Sequence, residues 1–179
     1  RRPVRKPSCV PSFLIIEPMY KRILIPIDGS STSESGLDEA IRLAFLHDAV
    51  IRLICIVEAL PSSLGIGTNC HSPAEIRRLS RGHAAEMLRN AAKRVRASCI
   101  PVDSALFEAG ERSFEECLVG EARAWGADLI VIGAHRSRDV RRMPVDHRAQ
   151  KISRGVAVPL LLVRASGPRT GQASVESWR

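Results

Sequence analysis

Short, nearly continuous apolar runs alternate with longer amphipathic stretches from residue 22 to residue 164. Continuous apolar runs are typical of strands that are buried on both faces of a parallel sheet, and amphipathic stretches are typical of crossover helices. The sequence therefore predicts one α/β domain with a doubly wound, five-stranded parallel sheet. The predicted strands are residues 23–27, 51–57, 101–107, 127–133 and 159–163.

Amphipathic spacing predicts four helices between these strands. Ser31 and Glu34 have the spacing of a capping box at the start of the first helix. A short fourth helix is expected over residues 147–154. The predicted buried faces of the first three helices are Leu37, Ile41, Ala44 and Phe45; Ile76, Leu79, His83, Met87, Ala91 and Val95; and Phe114, Cys117, Leu118, Ala122 and Trp125.

The doubly wound order also predicts where a ligand would bind. Right-handed crossovers place helices on both faces of the sheet, and ligands bind at the carboxyl ends of the strands, where the strand order reverses. Strands one and four are expected to border that crevice. The loops that follow them are residues 28–31 and 133–146.

The two ends of the chain differ from its middle. Residues 1–18 contain four prolines and a basic cluster without periodicity, so we expect an irregular extension. The domain is expected over residues 19–165, followed by a flexible tail over 166–179. Met19 is expected to be the natural start or close to it; peptides from residues 11–18 in the natively expressed protein would contradict this.

Charge and cysteine usage narrow the function classes. The net charge is +8, and residues 136–154 hold seven cations and two acids, a segment that would attract an anion. The five cysteines show no paired spacing, which favours free thiols in a reducing compartment. No run approaches the ~18 apolar residues of a membrane span. We therefore expect a cytoplasmic protein without a membrane partner.

Three stretches occur in a combination that is specific: YKRILIPIDGS at 20–30, ADLIVIG at 127–133 and VPLLLVR at 158–164. Together they resemble the opening strand with its acidic turn, the fourth strand and the fifth strand of the universal stress protein family. The resemblance implies a Rossmann-like, adenine nucleotide alpha hydrolase-like fold and a non-enzymatic stress-response protein. It also implies a homodimer paired through the edge strand that begins at Pro159 and ends at Val163; protein partners stay unidentified.

The family's nucleotide-binding members carry, after strand four, a glycine, two residues, a second glycine, nine residues, and a glycine followed by serine or threonine. Gly133 matches the first position, whereas Arg136, Asp146 and His147 stand at the other three. Glycines let backbone amides approach phosphate oxygens, and a carboxylate at a helix start occupies the anion position. The departures predict weak or absent ATP binding, with no cofactor required.

An alternative is a regulatory switch that retains ATP or AMP. The resemblance then implies a nucleotide crevice formed by Pro26, Ile27, Asp28, Val57, Ile132, Gly133, Arg136 and His147. Asp28 is equally explained as a turn residue that bonds its own backbone. Arg136, Arg138, Arg141 and Arg142 would either hold phosphate through their side chains or form a solvated basic loop.

Other kinds of site have weaker support. A closed metal site needs four ligands, and only Cys70, His71 and His83 are candidates. A catalytic serine at Ser30 or Ser31 would lack both the nucleophile elbow and an obvious base. Dinucleotide and P-loop motifs are absent. A basic RNA-associated protein is a second alternative. The chain has only seven aromatic residues and none lies among the arginines, so the positive charge alone favours nucleic acid. Nucleic acid is therefore not the expected partner.

Overall fold

The computed structural model describes residues 19–58, 72–134 and 147–164. Strands and helices alternate through these ranges, as the apolar pattern predicts. In chain order they are β1 (Arg22–Pro26), α1 (Ser31–His47), β2 (Val50–Val57), α2 (Pro73–Ala97), β3 (Val102–Glu108), α3 (Phe114–Trp125), β4 (Leu129–Ala134), α4 (His147–Gly155) and β5 (Leu160–Arg164).

The strands form a parallel sheet in the order β3-β2-β1-β4-β5. The chain runs outward from β1 to β3, returns across the sheet to β4 and ends at β5. The predicted five-stranded, doubly wound fold is therefore confirmed. The strand order reverses between β1 and β4, which are the two strands expected to border the crevice.

Alternate residues of β1 pack into two separate cores, because successive side chains of a strand point to opposite faces. Ile23 and Ile25 pack beneath α1 and α2. Leu24 packs on the other face with residues of α3 and α4, among them Leu118 and Ile152. Both faces of the sheet are covered, which explains why its strands are apolar almost throughout.

The first helix begins differently from the prediction. Ser30, not Ser31, is the N-cap, because the Ser33 N–H donates to Ser30 Oγ over 3.1 Å. Glu34 therefore lies one residue too late to close a capping box, and it pairs instead with Arg94 of α2. Complete capping boxes start α2 at Ser72 and Glu75 and start α3 at Ser113 and Glu116.

Three residues predicted to be core are exposed. Phe45 is 74% exposed, because the face of α1 that meets the sheet is centred on small residues such as Ala40 and Ala44. Leu79 is 55% exposed and His83 is also exposed. The 25 residues of α2 span about 37 Å, which is longer than its neighbouring strands, so its first three turns extend past the sheet.

One buried ion pair joins the sheet to α3. Arg52 of β2 places Nε 2.6 Å from Oε1 of Glu121, whose side chain is only 9% exposed. Arg52 also pairs with Asp103 of β3. The ring of Trp125 lies 4.5 Å from the guanidinium of Arg22 and 5.8 Å from that of Arg52. Within the described ranges, no helix is both long enough and apolar enough to cross a membrane.

Candidate functional site

A cleft of about 390 Å³ opens at the carboxyl edge of the sheet, where the strand order reverses. The ends of β1, β2 and β4 form its floor, and α2, α3 and α4 form its walls. The lining residues are Pro26, Ile27, Asp28, Ser33, Cys55, Ile56, Val57, Glu58, Ser80, His83, Ala84, Met87, Phe114, Ile132, Gly133, Arg148 and Ile152. Small-molecule sites commonly occupy ~300–1,000 Å³, so the volume suits a small ligand.

Six of the residues predicted from the sequence meet in this cleft: Pro26, Ile27, Asp28, Val57, Ile132 and Gly133. They come together because parallel strands end at a common edge. His147 is the first residue of α4, but its side chain lies outside the described part of the chain, as does all of Arg136. Also outside are the other residues of 135–146, the Cys70 and His71 pair, the segment 1–18 and the tail 166–179.

Asp28 has the geometry of a turn residue. Its Oδ1 accepts a hydrogen bond from the Ser30 N–H over 2.9 Å, which is the local bond that the Asp-Gly-Ser sequence predicts. The turn requires a φ of +77° at position 29, which glycine adopts without steric cost. Asp28 also lines the cleft, so the turn places a carboxylate at the cleft wall.

Gly133 is required by packing within the chain itself. A Cβ added at Gly133 would lie 2.1 Å from the carbonyl oxygen of Thr32 and 2.6 Å from the amide nitrogen of Ser33. The first turn of α1 therefore lies directly against β4. Gly36 belongs to the same contact, since a Cβ there would lie 3.1 Å from the Gly133 nitrogen. Small residues on both elements permit this close approach.

The cleft contains residues that the sequence analysis did not assign to it. Ser80 and His83 reach it from the part of α2 that extends past the sheet, and Met87 reaches it from the next turn. Phe114 and Arg148 reach it from the first turns of α3 and α4. Helices that follow parallel strands begin at the carboxyl edge of the sheet. The positions of Phe114 and Arg148 near the start of predicted helices could therefore have placed both residues at the cleft.

Arg148 spans the mouth of the cleft. Its Nη2 lies 3.4 Å from Oε1 of Glu58, and its guanidinium lies 5.1 Å from the centre of the Phe114 ring. Arg148 and Glu58 are each about half exposed, so the pair contributes little to stability and exchanges readily with solvent. Among the described lining residues the ionised side chains are therefore Asp28, Glu58 and Arg148.

The polar groups of the cleft are poorly arranged for covalent chemistry. Burial, and secondarily the negative charge of Asp28, raise the pKa of the Cys55 thiol, which keeps it protonated and weakly nucleophilic at neutral pH. The Ser30 hydroxyl is held by Ser33 N–H and Thr32 Oγ1. Within the described residues, no histidine bonds to a serine or cysteine, and no three His, Cys, Asp or Glu side chains gather to hold a metal ion.

A nucleoside fits this cleft better than a polyphosphate does. The floor offers apolar side chains and backbone groups at the ends of β1, β2 and β4, and Asp28 offers an acceptor for a sugar hydroxyl or an exocyclic amine. On the side of Gly133 where a Cβ would point, the first turn of α1 fills the space. Among the described lining residues, two carboxylates stand against one guanidinium, a balance that disfavours several phosphate charges.

The family model described as "Universal stress protein family" matches residues 19–164. Among curated relatives, Universal stress protein YxiE of Bacillus subtilis is 25% identical over 151 residues, covering 82% of this chain and 100% of that protein. Universal stress protein MJ0531 of Methanocaldococcus jannaschii is 28% identical over 149 residues, covering 83% and 84%.

Solved structures show the same fold. A member of the universal stress protein family from Burkholderia pseudomallei is 25% identical, with a TM-score of 0.63, covering 81% of this chain and 96% of that one. A universal stress protein in complex with cAMP is 18% identical, with a TM-score of 0.60, covering 83% and 99%. An Arabidopsis thaliana family protein with AMP bound is 11% identical, with a TM-score of 0.56, covering 86% and 97%.

Proposed function

Because the chain belongs to the universal stress protein family, we propose that it is a non-enzymatic, cytoplasmic regulator of the stress response that binds ATP weakly or not at all. Its cleft serves recognition, and its output is contact with partner proteins. The central observation is the close packing of α1 against Gly133, together with the loss of the other phosphate-cradle positions.

The surroundings of Gly133 support weak ATP binding. The first turn of α1 fills the space on the Cβ side of the one cradle glycine that this chain keeps, so packing within the chain accounts for Gly133 without a phosphate. Arg136 and Asp146 put β-carbons at the next two glycine positions of the family motif. The carboxylates of Asp28 and Glu58 line the same cleft, so a triphosphate would meet negative charge without a backbone cradle to offset it.

The chemistry of the cleft supports a non-enzymatic role. General base catalysis of a nucleophile needs a base within hydrogen-bond reach of a hydroxyl or thiol. The described lining residues supply no such pair, and the raised pKa of Cys55 removes its thiolate at neutral pH. A cleft that binds without reacting suits a sensor.

Calorimetry with a restored motif tests the ATP proposal. The wild-type protein is expected to release no measurable heat with ATP up to millimolar concentrations. The triple variant Arg136→Gly, Asp146→Gly, His147→Ser restores the family motif after Gly133 and is expected to gain ATP binding. A control variant, Arg112→Gly, changes a charged residue that does not line the cleft. Micromolar ATP affinity of the wild type would contradict the proposal.

A second candidate function is a switch that senses AMP or a related nucleoside monophosphate. The cleft volume of about 390 Å³ and the carboxylate of Asp28 on its wall favour this ligand class. Relatives of the same fold are known in complex with cAMP and with AMP. The cleft offers Arg148 as a partner for a single phosphate group. On binding, Arg148 releases Glu58 and pairs with the phosphate of the ligand.

Mass analysis of small molecules released from the freshly purified, denatured protein tests this candidate. We expect adenine monophosphates from the wild type and a loss of at least tenfold with Asp28→Asn. Glu111→Gln removes the same charge from a residue that does not line the cleft, and it should retain the ligand. An empty wild-type protein that also gives no heat with AMP would exclude the switch.

We also propose a homodimer through β5. This strand is at one edge of the sheet and pairs with β4 alone. Leu162 on this strand is 38% exposed, and an unpaired apolar edge otherwise invites aggregation. Size-exclusion chromatography should give a dimer for the wild type, a monomer for Leu162→Lys and a dimer for Leu79→Lys on α2. Monomeric elution of the wild type at micromolar concentration would contradict this assembly.

A further inference from the structure

Helix α2 carries a row of cations on the side away from its buried face. Arg78, Arg89, Lys93 and Arg96 are all exposed. At 3.6 residues per turn they lie within about 60° of one another around the helix axis and extend over about 27 Å along it. We call these four residues the outer ridge of α2.

Three acids near α2 pair with cations that flank the ridge, and Glu86 of α2 lies exposed beside the ridge. Arg81 pairs with Glu108 of β3 over 2.8 Å, and Arg94 pairs with Glu34 and Asp38 of α1. These pairs neutralise the two flanks of the helix, and the four ridge cations outnumber the one acid, Glu86, that lies beside them. Within residues 19–58, 72–134 and 147–164, none of the four ridge cations makes an ion pair or hydrogen bond.

The ridge offers charge and little else. Gly82 and Ala85 fill the helix surface between Arg78 and Arg89, and a Cβ added at Gly82 would meet nothing within 4 Å. Anchors of protein interfaces are arginine together with tyrosine and tryptophan, and membrane-surface helices insert an apolar face. None of the four ridge residues is aromatic or apolar, and the apolar face of α2 is buried in the core from Ala84 to Val95. Leu79, nearer the start of α2, is exposed.

We propose that the outer ridge of α2 binds the sugar–phosphate backbone of a nucleic-acid duplex without sequence preference. Guanidinium groups match phosphate oxygens in geometry and charge. A straight row of cations suits a partner that carries one negative charge per ~1.7 Å of its axis. Because the ridge has no aromatic side chain on which unpaired bases would stack, a duplex is the favoured form.

This surface is separate from the cleft, since none of the four ridge residues lines it. In the sequence only the total charge favours nucleic acid; in the helix the cations are also aligned. The proposal differs from the expectation that nucleic acid is not a partner, which rested on the scarcity of aromatic residues. It does not depend on nucleotide binding in the cleft.

The salt dependence of binding tests the ridge. The probe is a fluorescent DNA duplex of about 20 base pairs with mixed sequence, titrated with the full chain while anisotropy is measured. Four phosphate contacts predict a slope of about −3.6 for log K against log salt, which is a loss of about 150-fold between ~50 and ~200 mM. The double variant Arg89→Gln, Arg96→Gln should halve the slope to about −1.8, a loss of about 12-fold.

A charge-matched control locates the site. Arg112→Gln with Arg154→Gln removes two exposed cations outside α2 and should leave the slope unchanged. Glu86→Gln removes the acid beside the ridge and should tighten binding about twofold. Unchanged melting temperatures show that the variants are folded, as expected for exposed positions.

Three outcomes would overturn the proposal. The first is no binding of the duplex at low salt. The second is binding whose slope is the same in the ridge variant and in the wild type, which would place the contact elsewhere, for example in residues 136–142. The third is ridge-dependent binding to vesicles of anionic lipid without binding to the duplex, which would assign the ridge to a membrane surface.

Discussion

Substitution of Gly133 by alanine tests the packing on which the interpretation of the cleft depends. The added Cβ would lie 2.1, 2.3 and 2.6 Å from three backbone atoms of Thr32 and Ser33, where ordinary contacts of a Cβ fall at 3.4–4 Å. No side-chain rotation relieves this overlap, because the obstructing atoms belong to the backbone of α1. The helix and β4 must therefore separate by roughly an ångström.

The magnitude follows from the cost of overpacking. One extra methyl group in a well-packed interior costs about 1–3 kcal/mol, and an obstruction formed by backbone belongs at the upper end of that range. We expect Gly133→Ala to lower the free energy of unfolding by about 3 kcal/mol. For a chain of this size, that corresponds to a fall in melting temperature of about 6–12 °C.

Urea unfolding followed by circular dichroism, without added ligand, measures this effect. Gly82→Ala is the matched control: it adds the same methyl group in a helix with nothing within 4 Å, and it should gain about 0.5–1 kcal/mol from helix propensity. The two substitutions are thus expected to have opposite signs. If Gly133→Ala unfolded within about 0.5 kcal/mol of the wild type, α1 would not lie against β4 as described, and packing would no longer explain the glycine at this position.

Three further predictions concern charge and protonation. Glu121→Gln removes the buried negative charge between α3 and the sheet, and it should cost about 2 kcal/mol in urea unfolding; an unchanged midpoint would contradict the burial. Hydrogen bonds from the Ser113 backbone, and then from its side chain, lower the pKa of Glu116 from 4.5. A carboxyl whose folded pKa is lowered stabilises the fold above its unfolded pKa, and this contribution is lost as the pH falls through the folded value. Glu116→Gln should therefore flatten the acid limb of a melting-temperature profile below about pH 5; parallel profiles would contradict this. Iodoacetamide at neutral pH, with peptide mapping, should modify buried Cys55 at least about tenfold more slowly than exposed Cys99; equal rates would show an open cleft floor.

The apolar pattern was sufficient to predict the parallel sheet, because strands that are buried on both faces must be apolar almost throughout. The strand boundaries came within about two residues, and the reversal of strand order brought Asp28 and Ile132 to one edge. The start of α1 was wrong by one residue, since Ser30 and Ser31 are equivalent in a pattern. The Asp28 turn decides between them by holding the Ser30 amide.

The sequence by itself determined the α/β class and the crevice between strands one and four, because both follow from local periodicity and a few general rules of chain connection. The six cleft residues at strand ends came from the resemblance to the family. Only the tertiary structure decided what surrounds those residues. The extension of α2 past the sheet, the bridge from Arg148 to Glu58 and the contact of α1 with Gly133 each depend on a distance between elements far apart in the chain. Such distances depend on how helices pack across a sheet. They cannot be calculated from the spacing of residues along the sequence.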